Sequence, residues 1–329
     1  MRAVVQRRYG PLDLLQVEER PRPEPEDNEV LVRIRAVAVT LSDSMMRKGR
    51  PLVVRLFSGL LRPKTPILGA EFGGDVAAVG KDVQRFAVGD RVFGSTGDDC
   101  GCYAEYVCVP EHGFMAKMPS NITYDEGAPV CGALAAWNFL RDKANVQSGQ
   151  RILISGASGS IGTTAVQLAR HFGADVTGVC STGNLELVAS LGADKVIDYT
   201  SEDFTKGAET YDVIFDAENK SSFSRCRKIL KRDGVYLRTY PGLTILLQML
   251  WTSRIGRKKA VISATGLMPV SERLAFLEEL KQLIEDEELR SVVDRRYPLD
   301  QIADAYRYAE RGHKRGTVVV TVDHTDTDR

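Results

Sequence analysis

RILISGASGSIGTTAVQLAR, residues Arg151–Arg170, joins three kinds of sequence in twenty positions. Ile152-Leu153-Ile154 is an apolar run long enough for a buried strand and too short for a helix. Gly156-Ala157-Ser158-Gly159-Ser160-Ile161-Gly162 is a loop of small residues. Ala165, Val166, Leu168 and Ala169 then recur at helical spacing. A strand, a tight glycine loop and a helix N-terminus form the context in which a glycine fingerprint points to a nucleotide. Gly159 lets backbone approach a pyrophosphate, Gly162 lets the helix pack closely on the strand, and the helix start supplies N–H donors. Ala157, Ser158, Gly159, Ser160, Ile161 and Gly162 are the candidate binding residues. The competing reading is a strand-to-helix turn with no ligand, and the rest of the chain has to decide between them.

The 329 residues exceed the size at which one hydrophobic core stops growing, so two domains are expected. Hydrophobic residues make up 43% and charged residues 27%, the composition of an ordinary globular protein. Lysine plus arginine and aspartate plus glutamate balance at 44 each, which argues against nucleic acid and acidic membranes as partners. The N-terminus MRAVVQRRYG lacks a signal-peptide core, and the longest greasy piece, Leu243–Trp251, is far too short to span a bilayer. Cysteines 100, 102, 108, 131, 180 and 226 form no paired framework, so a reducing cytoplasm is the expected location.

The first third reads as β-rich. Arg2–Gln6 and Val30–Val39 carry β-branched residues and are separated by Pro21, Pro23 and Pro25. A short helical piece follows Thr40-Leu41-Ser42-Asp43, and Gly89-Asp90 marks a turn between short strands. Thr123–Ala144 is helix-compatible. Beyond it, strand candidates at Arg151–Ser155, Asp175–Cys180, Lys195–Asp198, Asp212–Ala217, Gly234–Thr239 and Ala260–Ser263 alternate with helical patterns, which predicts an α/β fold with a parallel doubly wound sheet. Glu272–Ile284 and Tyr297–Ala309 read as helices, the second with Pro298 near its start and Gly312 after its end. Thr317–Val322 reads as a last strand, and Asp323–Arg329 as a disordered polar tail.

In this order and spacing the motifs resemble the medium-chain dehydrogenase/reductase superfamily, in its zinc-free quinone oxidoreductase-like branch. LGAEFGGDVAAVGKDVQRFAVGDRVFG is similar to the N-terminal barrel signature, and GASGSIGTTAVQLAR to the cofactor loop. SLGADKVIDYTSEDF is similar to the third Rossmann strand, and VDRRYPLDQIADAYRYAERGHKRGTVVVTV to the C-terminal return. The resemblance implies a GroES-like β-barrel catalytic domain over 1–122, a six-stranded Rossmann NADP-binding domain over 123–288, and a return to the catalytic domain over 289–329.

Zinc chemistry does not follow from that resemblance. A catalytic zinc needs nitrogen and sulfur donors around one open position. Ala70 stands where the superfamily's histidine precedes Glu71, and Thr40–Asp43 offers no cysteine. Cys100, Cys102 and Cys108 are too few, and wrongly spaced, for the structural zinc lobe. What remains is hydride transfer from a nicotinamide to a small carbonyl, enone or quinone, with the protein orienting the reactants and stabilising charge. Thr40 and Asp43 occupy the active-site-edge segment and are the candidate catalytic residues. Thr40 would supply a hydroxyl near nicotinamide or substrate; the competing readings are a helix cap for Thr40 and a helix-start or packing role for Asp43. Met45 stands where some quinone reductases carry a tyrosine. His112, His171, His313 and His324 are scattered and read as structural or surface residues.

Cofactor choice rests on the segment after the second Rossmann strand, Val179-Cys180-Ser181-Thr182-Gly183-Asn184. It lacks the carboxylate that holds the ribose 2′-hydroxyl in NAD enzymes. NADP(H) is therefore preferred over NAD(H), with Ser181 donating to the 2′-phosphate. The resemblance adds Tyr199; Gly183 sits where relatives often carry a cation, and Lys314 or Arg315 from the C-terminal segment is the candidate to compensate. Glu218, in Asp216-Ala217-Glu218-Asn219, stands where relatives carry an Ala-Val-Gly turn and brings an unexpected negative charge. Arg238–Gly242 and Ser263–Gly266 are expected to hold the nicotinamide end. Two other functions stay open: zinc-free alcohol/carbonyl oxidoreduction, and a low-turnover NADPH-binding scaffold or redox sensor. A homodimer is expected, because the strand at Ala260–Ser263 would be an open edge beside apolar Leu243–Trp251.

Overall fold

The computed structural model describes residues 1–240, 242–263 and 265–324, which fall into two compact units. The first contains Met1–Cys131, Pro269–Asp286 and the chain from Val293 onward; the second contains Gly132–Met268 and Glu287–Val292.

In the first unit, β1 (Arg2–Val5) and β2 (Gln16–Glu19) form an antiparallel ribbon. β3 (Glu29–Val39), β4 (Glu71–Val79), β5 (Arg91–Ser95), β6 (Tyr106–Pro110) and β7 (Phe114–Lys117) belong to a larger sheet with antiparallel pairings. β3 is the centre of that sheet because its valines and isoleucine are buried, which leaves no solvent face along most of its length. Helices α1 (Leu41–Lys48) and α2 (Val54–Ser58) lie between β3 and β4 in sequence. The region expected as one helix over Thr123–Ala144 is broken at Pro129 into α3 (Tyr124–Gly127) and α4 (Val130–Trp137), and a π-helical segment, Asn138–Lys143, continues α4. A proline inside a helix removes an N–H donor and crowds the preceding turn, which accounts for the break.

The second unit is the doubly wound sheet. β8 (Arg151–Ser155), β9 (Asp175–Cys180), β10 (Lys195–Asp198), β11 (Tyr211–Asp216), β12 (Leu230–Arg238) and β13 (Lys259–Ile262) run parallel in the order β10-β9-β8-β11-β12-β13. α5 (Ser160–His171), α6 (Leu185–Ser190) and α7 (Phe223–Cys226) alternate with these strands. Between β10 and β11 the connection is only a 3-10 turn at Phe204–Lys206. The apolar stretch Leu243–Trp251 lies in α8 (Leu243–Arg254), whose exposed leucines blur the division between a buried and a polar face.

α9 (Val270–Glu285) lies with the first unit, where Arg273 stacks over Phe114 and Asn121 donates to the Ile284 carbonyl at 2.9 Å. The expected boundaries at 122 and 288 therefore differ from the contact-based ones: Thr123–Cys131 and α9 go with the barrel. β14 (Val293–Pro298) takes the start of the expected helix at Tyr297, and α10 (Ile302–Glu310) begins only after Leu299–Gln301. Pro298 ends an edge strand here, a position that needs no N–H donor. β15 (Thr317–Thr321) pairs parallel with β14 and antiparallel with β3, matching Val318 to Val39. The expected tail is held at its start: His324 Nε2 lies 2.7 Å from the Ile34 carbonyl oxygen. Residues 325–329 lie outside the described residues.

Candidate functional site

In the second unit, β8 ends at Ser155 and the chain turns through Gly156, whose φ of 79° is left-handed backbone. The Gly156 and Ala157 N–H groups both donate to the Val179 carbonyl at 3.0 Å, tying the loop to β9. Gly159 caps α5, and a Cβ at Gly162 would stand 2.0 Å from the Gly156 carbonyl oxygen. The loop can close this tightly only with glycine at 162. Ala157 is fully buried and faces Gly178 of β9, so its side chain packs rather than binds. Ser158 Oγ accepts from Asn184 Nδ2 at 3.0 Å. Ser160, Ile161 and Gly162 form the first turn of α5, whose amides point out of the helix start.

Parallel pairing of β9 and β10 matches Cys180 to Asp198, so Ser181 and Tyr199 run side by side, with the Tyr199 N–H on the Cys180 carbonyl at 3.1 Å. Ser181 Oγ lies 3.3 Å from Asn184 Nδ2, and Tyr199 is exposed. The same register places a carboxylate here that the segment's own sequence lacks. Asp198 Oδ2 accepts from Thr182 Oγ1 at 2.6 Å, and Oδ1 from the Thr200 N–H and hydroxyl. Those bonds hold the Asp198 carboxyl below its ordinary range. A carboxylate thus stands beside the segment expected to take the ribose, which a linear reading of residues 179–184 does not show; the missed signal is strand register. Arg315 lies in the first unit, where its backbone N–H donates to Asp294 Oδ2 at 2.9 Å.

Asn219 adopts φ 58° at the expected glycine position. Its amide donates to Thr239 Oγ1 at 2.8 Å, and its carbonyl oxygen accepts from Arg238 Nε at 3.0 Å and the Tyr240 N–H at 3.1 Å. The ends of β11 and β12 are clamped together by this residue. Glu218 beside it faces the glycine loop: a Cβ at Gly156 would meet Glu218 Cγ at 2.3 Å, and one at Gly159 would meet Oε1 at 2.5 Å. In the expected nicotinamide loops, Ser263 donates to Asn138 Oδ1 at 2.6 Å, while Pro241 and Ala264 lie outside the described residues.

In the first unit, Thr40 and Asp43 form a capping box. Thr40 Oγ1 accepts from the Asp43 N–H at 3.1 Å and donates to Asp43 Oδ2 at 2.7 Å, and the Thr40 N–H donates to the same oxygen at 2.9 Å. Buried Tyr103 donates to Asp43 Oδ2 at 3.2 Å and packs edge-on against Tyr306. Burial pushes the Asp43 carboxyl up to about 6 against these hydrogen bonds. Glu71, on β4, accepts from the Cys131 N–H at 3.1 Å. Burial, reinforced by the nearby Asp43 charge, pushes its carboxyl up to about 8. Sequence reading placed Glu71 but not its altered acidity, which arises from burial among residues distant in the chain. Burial also raises the Cys102 thiol to about 12 and Cys131 well above its ordinary value, so neither is a ready thiolate. Among the described residues no three His, Cys, Asp or Glu side chains stand where they could share a metal ion. Among them, too, no helix is long and apolar enough to cross a membrane.

Residues 26–120 match the family model for the alcohol dehydrogenase GroES-like domain, and residues 191–320 match that for zinc-binding dehydrogenase. A chloroplastic quinone-oxidoreductase homolog of Spinacia oleracea is 31% identical over 290 residues, covering 82% of this chain and 85% of its own length. A chloroplastic NADPH-dependent alkenal/one oxidoreductase of Arabidopsis thaliana is 30% identical over 97% of this chain and 79% of its own length. The solved quinone oxidoreductase from Coxiella burnetii superposes with a TM-score of 0.84 at 26% identity, covering 98% of this chain and 99% of that one. Similar in sequence and in fold to these proteins along most of its length, the chain belongs to the medium-chain dehydrogenase/reductase superfamily, in its quinone oxidoreductase-like branch of NAD(P)H-dependent oxidoreductases.

Proposed function

We propose that this chain is an NADPH-dependent, zinc-independent reductase that transfers hydride to a quinone or an α,β-unsaturated carbonyl. The observation that carries the reading is the Gly156–Gly162 turn, which closes on itself with glycine at 162 and brings side-chain-free backbone at 156 and 159 to the start of α5. Ala157–Gly162 would seat the pyrophosphate, and Ser181 with Tyr199 the ribose end. The nicotinamide, when bound, supplies the hydride. For an enone, hydride adds at the β-carbon, the π electrons move to the carbonyl oxygen, and the resulting enolate takes a proton. Thr40 is the candidate donor to that oxygen, and Asp43 the residue that positions it. With Asp43 ionised, the Thr40 proton is engaged on Oδ2; protonated, Asp43 donates instead and releases it. Turnover through this pair should therefore rise as pH falls through about 6, the value at which Asp43 titrates. Six free cysteines suit a reducing compartment such as the cytoplasm.

The test incubates the protein with NADPH or NADH and a panel of quinones, enones, aldehydes and ketones, following cofactor absorbance. The expected result is oxidation with quinones or enones and a larger kcat/KM for NADPH than NADH. A ratio at or below one overturns the NADPH assignment. Oxidation only with aldehydes or ketones selects alcohol/carbonyl chemistry, and binding without oxidation across the panel selects the scaffold. In the same assay Thr40→Val should lower kcat at least tenfold, whereas Thr40→Ser, which keeps both hydroxyl and cap, should retain it; unchanged turnover in Thr40→Val removes the catalytic role.

A further inference from the structure

The space that the loop glycines open is in use within the chain itself. Glu218 Cγ stands where a Cβ on Gly156 would be 2.3 Å away, and Oε1 where one on Gly159 would be 2.5 Å away. The side chain therefore lies across both glycines, with its carboxylate at the residue that caps α5. Its backbone has little freedom to retreat. The Ala217 N–H donates to the Ser155 carbonyl at 3.1 Å, and the Ala217 carbonyl accepts from Thr239 Oγ1 at 3.1 Å. On the other side, Asn219 is clamped by Thr239, Arg238 and Tyr240. Rotation about the side-chain bonds is the remaining route out, and the exposure of Glu218 to solvent leaves room for it.

A helix N-terminus favours an anion, and a carboxylate and a pyrophosphate compete for that favour. We propose that the Glu218 carboxylate is a built-in competitor for the pyrophosphate seat. Cofactor enters the glycine loop only as this side chain turns out, and the chain holds dinucleotide more weakly than its loop alone would allow. The proposal rests on the reading of Ala157–Gly162 as the cofactor loop. It predicts opposite effects on the two states: the carboxylate stabilises the cofactor-free protein and weakens the complex. A purely structural role would give losses in both when the charge is removed.

The experiment titrates NADPH and NADH into wild type and Glu218→Gln by calorimetry, and records the Tm of each protein without cofactor. Glu218→Gln should bind both cofactors at least fivefold more tightly, by a similar factor because the pyrophosphate is common to them, while its cofactor-free Tm falls slightly. Glu218→Val, which removes both charge and reach, should bind at least as tightly as Glu218→Gln. The gain should shrink as salt rises, because an exposed charge is screened. Equal or weaker binding by both variants overturns the competitor, as does a gain confined to one cofactor. If wild type binds and the variants bind no tighter, the loop assignment survives alone. If none of the three proteins binds either cofactor at millimolar concentration, the loop assignment falls with it.

Discussion

Glu71 shows how one buried side chain couples the barrel to pH. Its carboxyl is pushed from 4.5 to about 8, chiefly by burial. Between those values the folded protein holds a proton that the unfolded chain has released, so stability falls as pH rises through that window, and the loss is complete above about 8. Glu71→Gln keeps an acceptor for the Cys131 N–H and removes the titration. The variant should be more stable than wild type by up to about 5 kcal/mol at pH 9, with the difference vanishing below pH 4.5. Thermal melts across pH 4–9 check this, and parallel Tm curves for the two proteins would sink it. The position of Glu71 is plain in its motif; its acidity is not, because desolvation depends on what packs around it. Thr40 and Asp43 show the same divide. Their spacing suggests both a cap and an active-site edge, and the structure realises the cap while adding Tyr103, sixty positions away, to the same carboxylate oxygen.

At the scale of elements, the β8–loop–α5 turn depends on a contact that no side chain can enter. Gly162→Ala would set a Cβ 2.0 Å from the Gly156 carbonyl oxygen and 2.8 Å from Ala157 Cα, both backbone atoms that cannot rotate away. The loop must shift, at a cost of roughly 1–3 kcal/mol, and dinucleotide binding should fall with it. Gly207→Ala is the control, since its φ of −63° suits any residue and a Cβ there would meet only the Phe204 carbonyl oxygen, at 3.6 Å. Denaturant unfolding and cofactor titration of both variants read the difference; a Gly162→Ala protein that melts and binds like Gly207→Ala would refute the close-approach account. Elements with a clear period or a turn signal were legible: the parallel strands, α5, α9 and β15 all lie within a few residues of their expected places. α8 was not, because an apolar helix without a polar face looks like any other greasy run. Nor was the end of β14, where a proline that can open a helix instead closes a strand.

For the whole molecule, the open question is assembly. β13 is the edge of its sheet, paired with β12, and α8 packs beside it. On that helix Leu243, Leu247 and Leu250 are each more than half exposed, and Trp251 nearly so. An edge strand beside an exposed apolar helix is a surface that a second copy can cover. Light scattering at micromolar concentration should give twice the mass of 36.3 kDa, and Leu250→Glu should return the monomer; a monomeric wild type contradicts the dimer. The sequence by itself determined the six-strand alternation, the glycine turn and the candidate loop residues, since periodicity and glycine requirements act over a few neighbouring positions. Tertiary structure alone decided the rest. Strand register brought Asp198 beside Cys180 and onto Thr182, burial set the acidity of Asp43 and Glu71, and clamped backbone at Ala217 and Asn219 laid Glu218 across the very glycines that opened the reading. Each depends on which distant segments meet, and on the water they exclude when they do.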